Sequence, residues 1–102
     1  MNLFTVITTE FALYDLENGR DFYEKQAPEL GDYFFDTMVI EIESLHLYAG
    51  IHVREYGFYK MLTKRFPYAI YYDIDGETAR VVAVLDQRSR PMYTYMKLNT
   101  RN

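Results

Sequence analysis

Three tyrosines and four arginines lie in residues 65–91, RFPYAIYYDIDGETARVVAVLDQRSRP, whose pattern predicts two strands joined by a turn. Arginine and lysine can bind phosphate or carboxylate groups. Tyrosine adds a hydroxyl that exchanges hydrogen bonds and a large apolar ring. Side chains of these types on one face of a β-hairpin could form a catalytic surface, a docking surface for another protein, or an ordinary solvated side of a sheet.

The composition excludes several classes of site. A chain of 102 residues suits a single domain, residues 1–102, with one core. It contains no cysteine, which excludes disulfides, thiolate nucleophiles and cysteine-based zinc sites. The start, MNLFTVITTE, lacks the basic and long apolar segments of a secretory signal, and no stretch approaches the roughly 20 apolar residues of a membrane helix. We therefore expect a cytoplasmic protein with no membrane association.

Charge is distributed unevenly along the chain. Residues 1–50 contain ten acidic and two basic residues, whereas residues 51–102 contain five acidic and nine basic ones. The net charge is −4 and the pI is near 5.1. The asymmetry fits polarised partners, but it also fits helices that carry more acids than strands. Because RNA affinity is largely electrostatic, the acidic pI argues against a nuclease that acts on RNA in the ribosome.

The first half predicts a strand followed by two helices. LFTVIT, residues 3–8, is β-rich, and Thr8 or Thr9 is suited to cap the helix that follows. One apolar stripe at helical spacing comprises Ala12, Leu16, Gly19 and Tyr23. A second helix follows Pro28 and ends near Gly50, with a stripe of Phe34, Met38, Ile42 and Leu45. The short link at residues 26–30 predicts that the two helices form an antiparallel hairpin.

Beyond Gly50 the apolar period changes to two residues, which indicates strands. GFYKMLTKRF predicts one strand, and YAIYYDI and ETARVVAVL flank the dipeptide Asp75-Gly76, which is typical of a type I′ hairpin turn. The predicted fold class is therefore α+β: a strand, an antiparallel helix hairpin and an antiparallel β-meander, with the helices on one face of the sheet.

A two-residue turn at Asp75-Gly76 assigns the side chains of the hairpin to two faces. The face expected beneath the helices comprises Ile70, Tyr72, Ile74, Ala79, Val81, Ala83 and Leu85. In particular, we expect Leu85 to share a core with Phe34, Met38 and Ile42. Two helices can cover only one side of the sheet, so the opposite face is expected to be open, with Tyr71, Val82 and Val84 among arginines. Such a face is either a binding surface or a solvated side of the sheet.

Two blocks of this sequence resemble the RelE/ParE superfamily of bacterial toxins, also called plasmid stabilisation proteins. One block contains Arg65-Phe66-Pro67-Tyr68, Ile70-Tyr71-Tyr72, the acidic-Gly turn, VVAVL, and Gln87-Arg88 with Arg90-Pro91. The other, LYDLENGRDFYEKQAPELGDYFFDTM, is similar to the helix hairpin of the family. The resemblance covers about residues 3–92. It implies a toxin held silent by a cognate antitoxin.

The Phe-Pro-Tyr block is more similar to the ParE branch, whose members bind and inhibit DNA gyrase. Antitoxin tails in this family are typically acidic and amphipathic. We expect the antitoxin tail to dock on the open face, and the toxin to form oligomers, if any, together with the antitoxin. We expect neither a cofactor nor a metal. The predicted partner-binding residues are Arg65, Tyr71, Arg80, Val82, Val84, Arg88 and Arg90.

Two alternatives stay open. The first is a RelE-like, metal-independent mRNA endonuclease that acts with the ribosome, for which the resemblance implies the catalytic residues Arg88, Tyr93, Lys60 and Lys64. However, Ala69 stands where that branch places a cation, and this disfavours the nuclease. The second alternative is an interaction domain that retains the fold without toxicity. The tail, residues 92–102, either contacts the sheet or the partner, or frays in solution.

Overall fold

A five-stranded mixed sheet organises the chain, of which a computed structural model describes residues 3–101. The strands are β1 (Thr5–Thr8), β2 (Val53–Glu55), β3 (Phe58–Leu62), β4 (Tyr68–Asp75) and β5 (Thr78–Asp86), in the sheet order β1-β5-β4-β3-β2. The helices are α1 (Glu10–Glu24), α2 (Leu30–Glu43), α3 (Leu45–Tyr48) and α4 (Pro91–Arg101). β1 is parallel to β5 and the other neighbours are antiparallel. The predicted α+β class is confirmed. Within residues 3–101, no helix combines the length and apolarity needed to cross a membrane.

The predicted helix hairpin is confirmed as α1 and α2, although the second helix ends at Glu43 rather than near Gly50 and is followed by the short helix α3. The Thr9 hydroxyl accepts the backbone N–H of Ala12 at 3.3 Å, which caps α1 as the sequence suggests. The first turn of α2 is capped from the other helix, because the Glu24 carboxylate accepts the N–H groups of Glu29 at 3.1 Å and Gly31 at 3.0 Å. A negative group at a helix N-terminus satisfies unpaired donors and stabilises the helix dipole.

The two helices approach closely at Gly19, where the ring of Phe34 occupies the place of a side chain. A Cβ atom at Gly19 would lie 2.4 Å from Cε2 of Phe34. Phe34 is fully buried among Tyr23, Phe66 and Tyr68, with ring centroids about 5 Å apart. The predicted apolar stripes of both helices are buried in this core against one face of the sheet, which we call the hairpin face.

The region before β4 differs from the prediction of one strand over GFYKMLTKRF. It contains a second hairpin, β2–β3, joined by Tyr56 and Gly57 with φ angles of 56° and 85°. Positive φ at both central residues is the type I′ pattern. β3 ends at Leu62, so residues 63–67 form a loop. The prediction therefore gave too few strands in this region, and it made the strand that corresponds to β3 too long.

The prediction for the β4–β5 hairpin is wrong in two respects, the pairing register and the turn type. Asp75 pairs with Thr78, so Gly76 and Glu77 form the turn, and only Gly76, at φ 60°, has a positive φ. This is the type II′ pattern rather than type I′. The two-residue shift keeps the predicted faces near the turn, because side chains alternate with period two.

A β-bulge in β5 then reverses the faces of the residues that follow it. Tyr72 pairs with Val81 but Tyr71 pairs with Ala83, so Val82 is the extra residue. Val84 consequently packs on the hairpin face with Phe34 and Met38. Ala83 and Leu85 lie on the opposite face, so the expectation that Leu85 joins that core is wrong.

The opposite face of the sheet is covered by α4 rather than open, which corrects the prediction. Thr94 and Leu98 of α4, one turn apart, are buried, and Leu98 joins a cluster on this side: Phe58, Ala69, Tyr71, Val82, Ala83 and Leu85. We call it the α4 face. Of the two alternatives for the tail, contact with the sheet is the one observed for residues 92–101; Asn102 lies outside the described residues.

Replacing Gly19 with alanine tests the close approach of the helices. Alanine should gain about 1 kcal/mol of helix propensity. Against this, its Cβ collides with the buried ring of Phe34, and overpacking of this kind typically costs about 1–3 kcal/mol. We expect Gly19→Ala to lower the free energy of unfolding, measured by urea denaturation.

Asn18→Ala, an exposed change in the same helix, is the matched control and should be neutral or stabilising. A Gly19→Ala variant as stable as Asn18→Ala would contradict the described packing of α1 on α2.

Candidate functional site

An ion pair buried between Asp15 and Arg101 fastens α4 to α1. The two side chains form a bidentate pair, with Nη1 to Oδ2 at 2.5 Å and Nη2 to Oδ1 at 2.9 Å. Both are largely inaccessible to solvent. Fork-to-fork geometry of this kind fixes orientation as well as charge. The last turn of α4 is thereby held against the first helix of the chain.

The same pair also closes the edge of β5 beyond the end of β1. β1 ends where Thr8 pairs with Val81, which leaves the following part of β5 without a neighbouring strand on that side. There the Asp15 carboxylate accepts the N–H of Val84 at 3.0 Å, and Arg101 donates to the carbonyl of Val82 at 3.2 Å. Buried backbone groups need such partners. The bulge and the ion pair are therefore one structural unit.

A polar network lies between β2, β3, β4 and the start of α4. The ammonium of Lys60 lies 3.1 Å from Glu55, and the Tyr71 hydroxyl lies 3.4 Å from both Glu55 and Gln87. Burial opposes the charge on Lys60, but the hydrogen bonds and charge of Glu55 outweigh it, so the pKa of Lys60 is raised. A cavity of about 160 Å³ adjoins this network. The positive charge of Lys60 is thus already neutralised by the carboxylate of Glu55.

The arginines of β5 and of the loop after it are also paired. Arg80 donates two hydrogen bonds to Asp73, at 2.6 and 3.1 Å, which raise the pKa of the guanidinium. Arg88 forms a bidentate pair with Asp86, at 2.7 and 3.0 Å. Burial alone raises the pKa of Asp86, yet the hydrogen bonds from the side chain and backbone of Arg88 lower it overall. A ligand phosphate that binds Arg80 or Arg88 would therefore have to displace the carboxylate of Asp73 or Asp86.

Six cations have no carboxylate within ion-pairing distance anywhere in residues 3–101. They are Lys25, Arg54, Lys64, Arg65, Arg90 and Lys97. Arg65 donates to the hydroxyl of Tyr33 at 2.9 Å, and together with Lys64 it lines a groove against α2. Arg90 and Lys97 line a groove on α4. Four of the six unpaired cations are therefore divided between two separate grooves.

The predicted docking residues do not form one accessible surface. Tyr71 and Val82 are each only 1% exposed beneath α4, and Val84 faces the helix hairpin. Arg65 lies in the β3–β4 loop, Arg80 and Arg88 are paired, and Arg90 precedes α4. Tyr71 and Val82 are available to a partner only if α4 moves, and their binding role stays a prediction.

The residues implied by the nuclease alternative are likewise dispersed. Lys60 lines the cavity beneath α4, Lys64 lines the groove against α2, and Tyr93 is exposed on α4. Arg88 is held by Asp86. Proton transfer and charge stabilisation at one phosphate require such groups within a few ångströms of each other. The four side chains named above do not come together around one point, and their catalytic role also stays a prediction.

Sequence reasoning missed the ion pair that fastens α4. One signal was present: Asp15 falls on the apolar stripe of α1, between Ala12 and Gly19, where a carboxylate is buried and needs a partner. No local pattern points to Arg101 as that partner, because 86 positions separate the two residues. No three His, Asp or Glu side chains in the described part of the chain cluster as metal ligands.

Comparison with known proteins places this arrangement in the ParE-like class of folds. One similar solved structure is the chromosomal ParDE TA system from P. aeruginosa, of which one chain superposes with a TM-score of 0.73. The superposition covers 80% of this chain and 94% of that chain, at 18% sequence identity. No protein-family model and no curated protein matches the sequence. The resemblance seen in the sequence is confirmed in the fold.

Breaking the Asp15–Arg101 pair from one side should destabilise the protein strongly. Asp15→Ala leaves a buried guanidinium unpaired and also orphans the N–H of Val84, and losses of this type cost about 3–5 kcal/mol. We expect a comparable loss for Arg101→Ala and a double variant less destabilised than the sum, measured by urea unfolding. The exposed pair Arg20–Asp32 is the control, with an expected change below about 1 kcal/mol for either truncation. Strict additivity of the Asp15 and Arg101 changes would contradict the described pair.

The buried tyrosines predict loss of stability at high pH. Burial, with a contribution from Asp86, raises the pKa of Tyr68 to about 12. Because the folded-state pKa exceeds the unfolded value near 10, this contribution to stability is complete below pH 10 and is lost between pH 10 and 12. The difference between these two pKa values corresponds to at most about 2–3 kcal/mol, and solvent screening lowers this figure. Unfolding free energies measured at pH 8, 10 and 11.5 should fall, and Tyr68→Phe should flatten the decrease. An equal decrease in both proteins would contradict the assignment to Tyr68.

Proposed function

We propose that this chain is the toxin of a type II toxin–antitoxin pair, that it acts by binding DNA gyrase, and that a cognate antitoxin neutralises it. The observation that carries the proposal is the fold shared with a chain of a ParDE system, at a TM-score of 0.73 over 94% of that chain. Two sequence blocks resemble the same class. The site of action is then the cytoplasm, where gyrase acts.

The electrostatics of the candidate site favour protein contact over RNA cleavage. Two of the cations that a nuclease mechanism would use, Lys60 and Arg88, are paired with Glu55 and Asp86. A phosphate approaching them meets a neutralised pair, and the whole chain carries a net charge of −4. Because a ribosome-bound nuclease gains much of its affinity from unpaired positive charge, these features support a protein target.

Expression of the chain without an antitoxin is the first test of the target. We expect induction of the DNA-damage response and a fall in plasmid supercoiling, while incorporation of labelled amino acids continues. With purified components, the protein should inhibit gyrase supercoiling of relaxed plasmid. Co-expression of the protein encoded by the adjacent reading frame should restore growth.

The control distinguishes the ribosomal alternative. Purified chain is added to programmed ribosomes, and the mRNA is mapped by primer extension. Cleavage in the A site, abolished by Arg88→Ala, would refute gyrase as the target and establish the RelE-like mechanism. Absence of toxicity combined with tight binding of the adjacent protein would instead establish a non-toxic interaction domain.

A further inference from the structure

We propose that the outer face of α4 is a docking surface for an acidic amphipathic helix of a partner protein. The proposal rests on the proposed function, in which that partner is the antitoxin. The surface comprises the solvent-facing side chains of α4, namely Met92, Tyr93, Met96, Lys97 and Thr100, and Arg90 just before the helix. We call it the outer α4 surface.

Apolar exposure on the outer α4 surface is high for so short a helix. Met92 is 65% exposed, Tyr93 is 62% exposed and Met96 is 59% exposed. These side chains border a shallow groove of about 430 Å³ that Thr100 closes at its far end. Contiguous exposed apolar side chains often mark interaction sites, and methionine adapts readily to a partner surface. α4 therefore buries one stripe against the sheet and presents a second one to solvent.

The charge on this surface selects an acidic partner. Residues 87–101 contain four basic residues and no acidic one. Arg88 and Arg101 are used by Asp86 and Asp15, which leaves Arg90 and Lys97 beside the groove. The ammonium of Lys97 lies 5.3 Å from the ring centroid of Tyr93, which places a cation in the middle of the apolar stripe. Neither Arg90 nor Lys97 has an internal carboxylate partner, so carboxylates of a bound segment would pair with both cations without competition.

A second groove continues the surface toward α1. Tyr93 and Lys97 also border a cleft of about 230 Å³, which Asn18 and Phe22 of α1 line together with Asp15 and Asp86, both already paired with arginines. Phe22 is half-exposed. Tyr93 thus borders both depressions, so a helix laid along α4 can place side chains in each of them. Anchors spaced three and four residues apart on that helix would enter them.

The spacing and the charge favour a separate acidic helix over a second copy of this chain. Met92 and Met96 are one turn apart, as are Tyr93 and Lys97, so they form the ridges that pack into the grooves of another helix. In a symmetric dimer the same patch meets itself, which would bring Lys97 and Arg90 against cations of the other copy. An acidic helix replaces this repulsion with attraction.

The experiment uses the full-length protein and, as the probe, the purified protein encoded by the adjacent reading frame. The affinity is measured by titration at two salt concentrations for Met96→Asp, Met96→Leu and Lys97→Glu. We expect Met96→Asp to weaken binding about 30-fold or more, because it places a charge in the centre of the contact. Met96→Leu should bind within about threefold of the parent. Lys97→Glu should weaken binding about tenfold at low salt and reduce the salt dependence.

The matched controls are Ile51→Asp and Lys25→Glu, which place the same chemical changes at exposed positions that line neither groove of α4. Both should bind within about twofold of the parent. Thermal unfolding of each variant verifies that α4 and the core are retained, since every altered side chain is exposed or half-buried.

Three results overturn the inference, and they differ in what they say about the toxin–antitoxin assignment. Parent and α4 variants that bind the probe equally tightly place the docking site elsewhere and leave the proposed function intact. A parent that neither binds the probe nor is neutralised by it removes the proposed function and the inference together. A parent that sediments as a dimer, and becomes a monomer in Met96→Asp, assigns the surface to a second copy.

Discussion

The architecture depends on a single constraint, the need to satisfy the edge of β5 where β1 stops. A bulge at Val82 turns the backbone there, and Asp15 and Arg101 accept and supply the hydrogen bonds that a further strand would have provided. A buried ion pair is not by itself strong evidence of stability, because desolvation offsets much of its attraction. Here the pair also takes the place of missing strand pairing, and it fixes the position of the last helix.

Docking of α4 changes what the sheet can do. With α4 in place, Tyr71 and Val82 become core residues and the polar network of Glu55, Lys60 and Tyr71 lies beneath a cover. Few side chains hold this cover: Leu98 supplies the buried apolar contact, Arg101 the ion pair, and Tyr95 an edge-to-face contact with Tyr56 at 5.5 Å. The side chains that a partner can reach on this side of the protein are therefore those on the outside of α4 rather than those of the sheet.

The sequence allowed the helix hairpin to be predicted almost completely, because its information is local. Ala12, Leu16, Gly19 and Tyr23, and then Phe34, Met38 and Ile42, follow a 3.6-residue period that survives in the fold. The faces of β5 beyond Val81 could not be predicted, since one bulge residue reverses every later side chain and no residue type marks Val82. The docking of α4 could not be predicted either, because the ion pair that fastens it joins Arg101 to Asp15, 86 positions away in the chain.

The distribution of ion pairs explains how an acidic chain can present a basic surface. Three of the five acids of the second half are used locally, with Asp73, Asp86 and Glu55 matched to Arg80, Arg88 and Lys60. Asp15 from the acidic first half is matched to Arg101 at the end of α4. What remains in the last fifteen described residues is Arg90 and Lys97, without carboxylates of their own. Net charge alone therefore gives the wrong sign for this surface: the chain is acidic as a whole, while the face that α4 presents carries unpaired basic side chains because the carboxylates nearest to it are already paired with arginines.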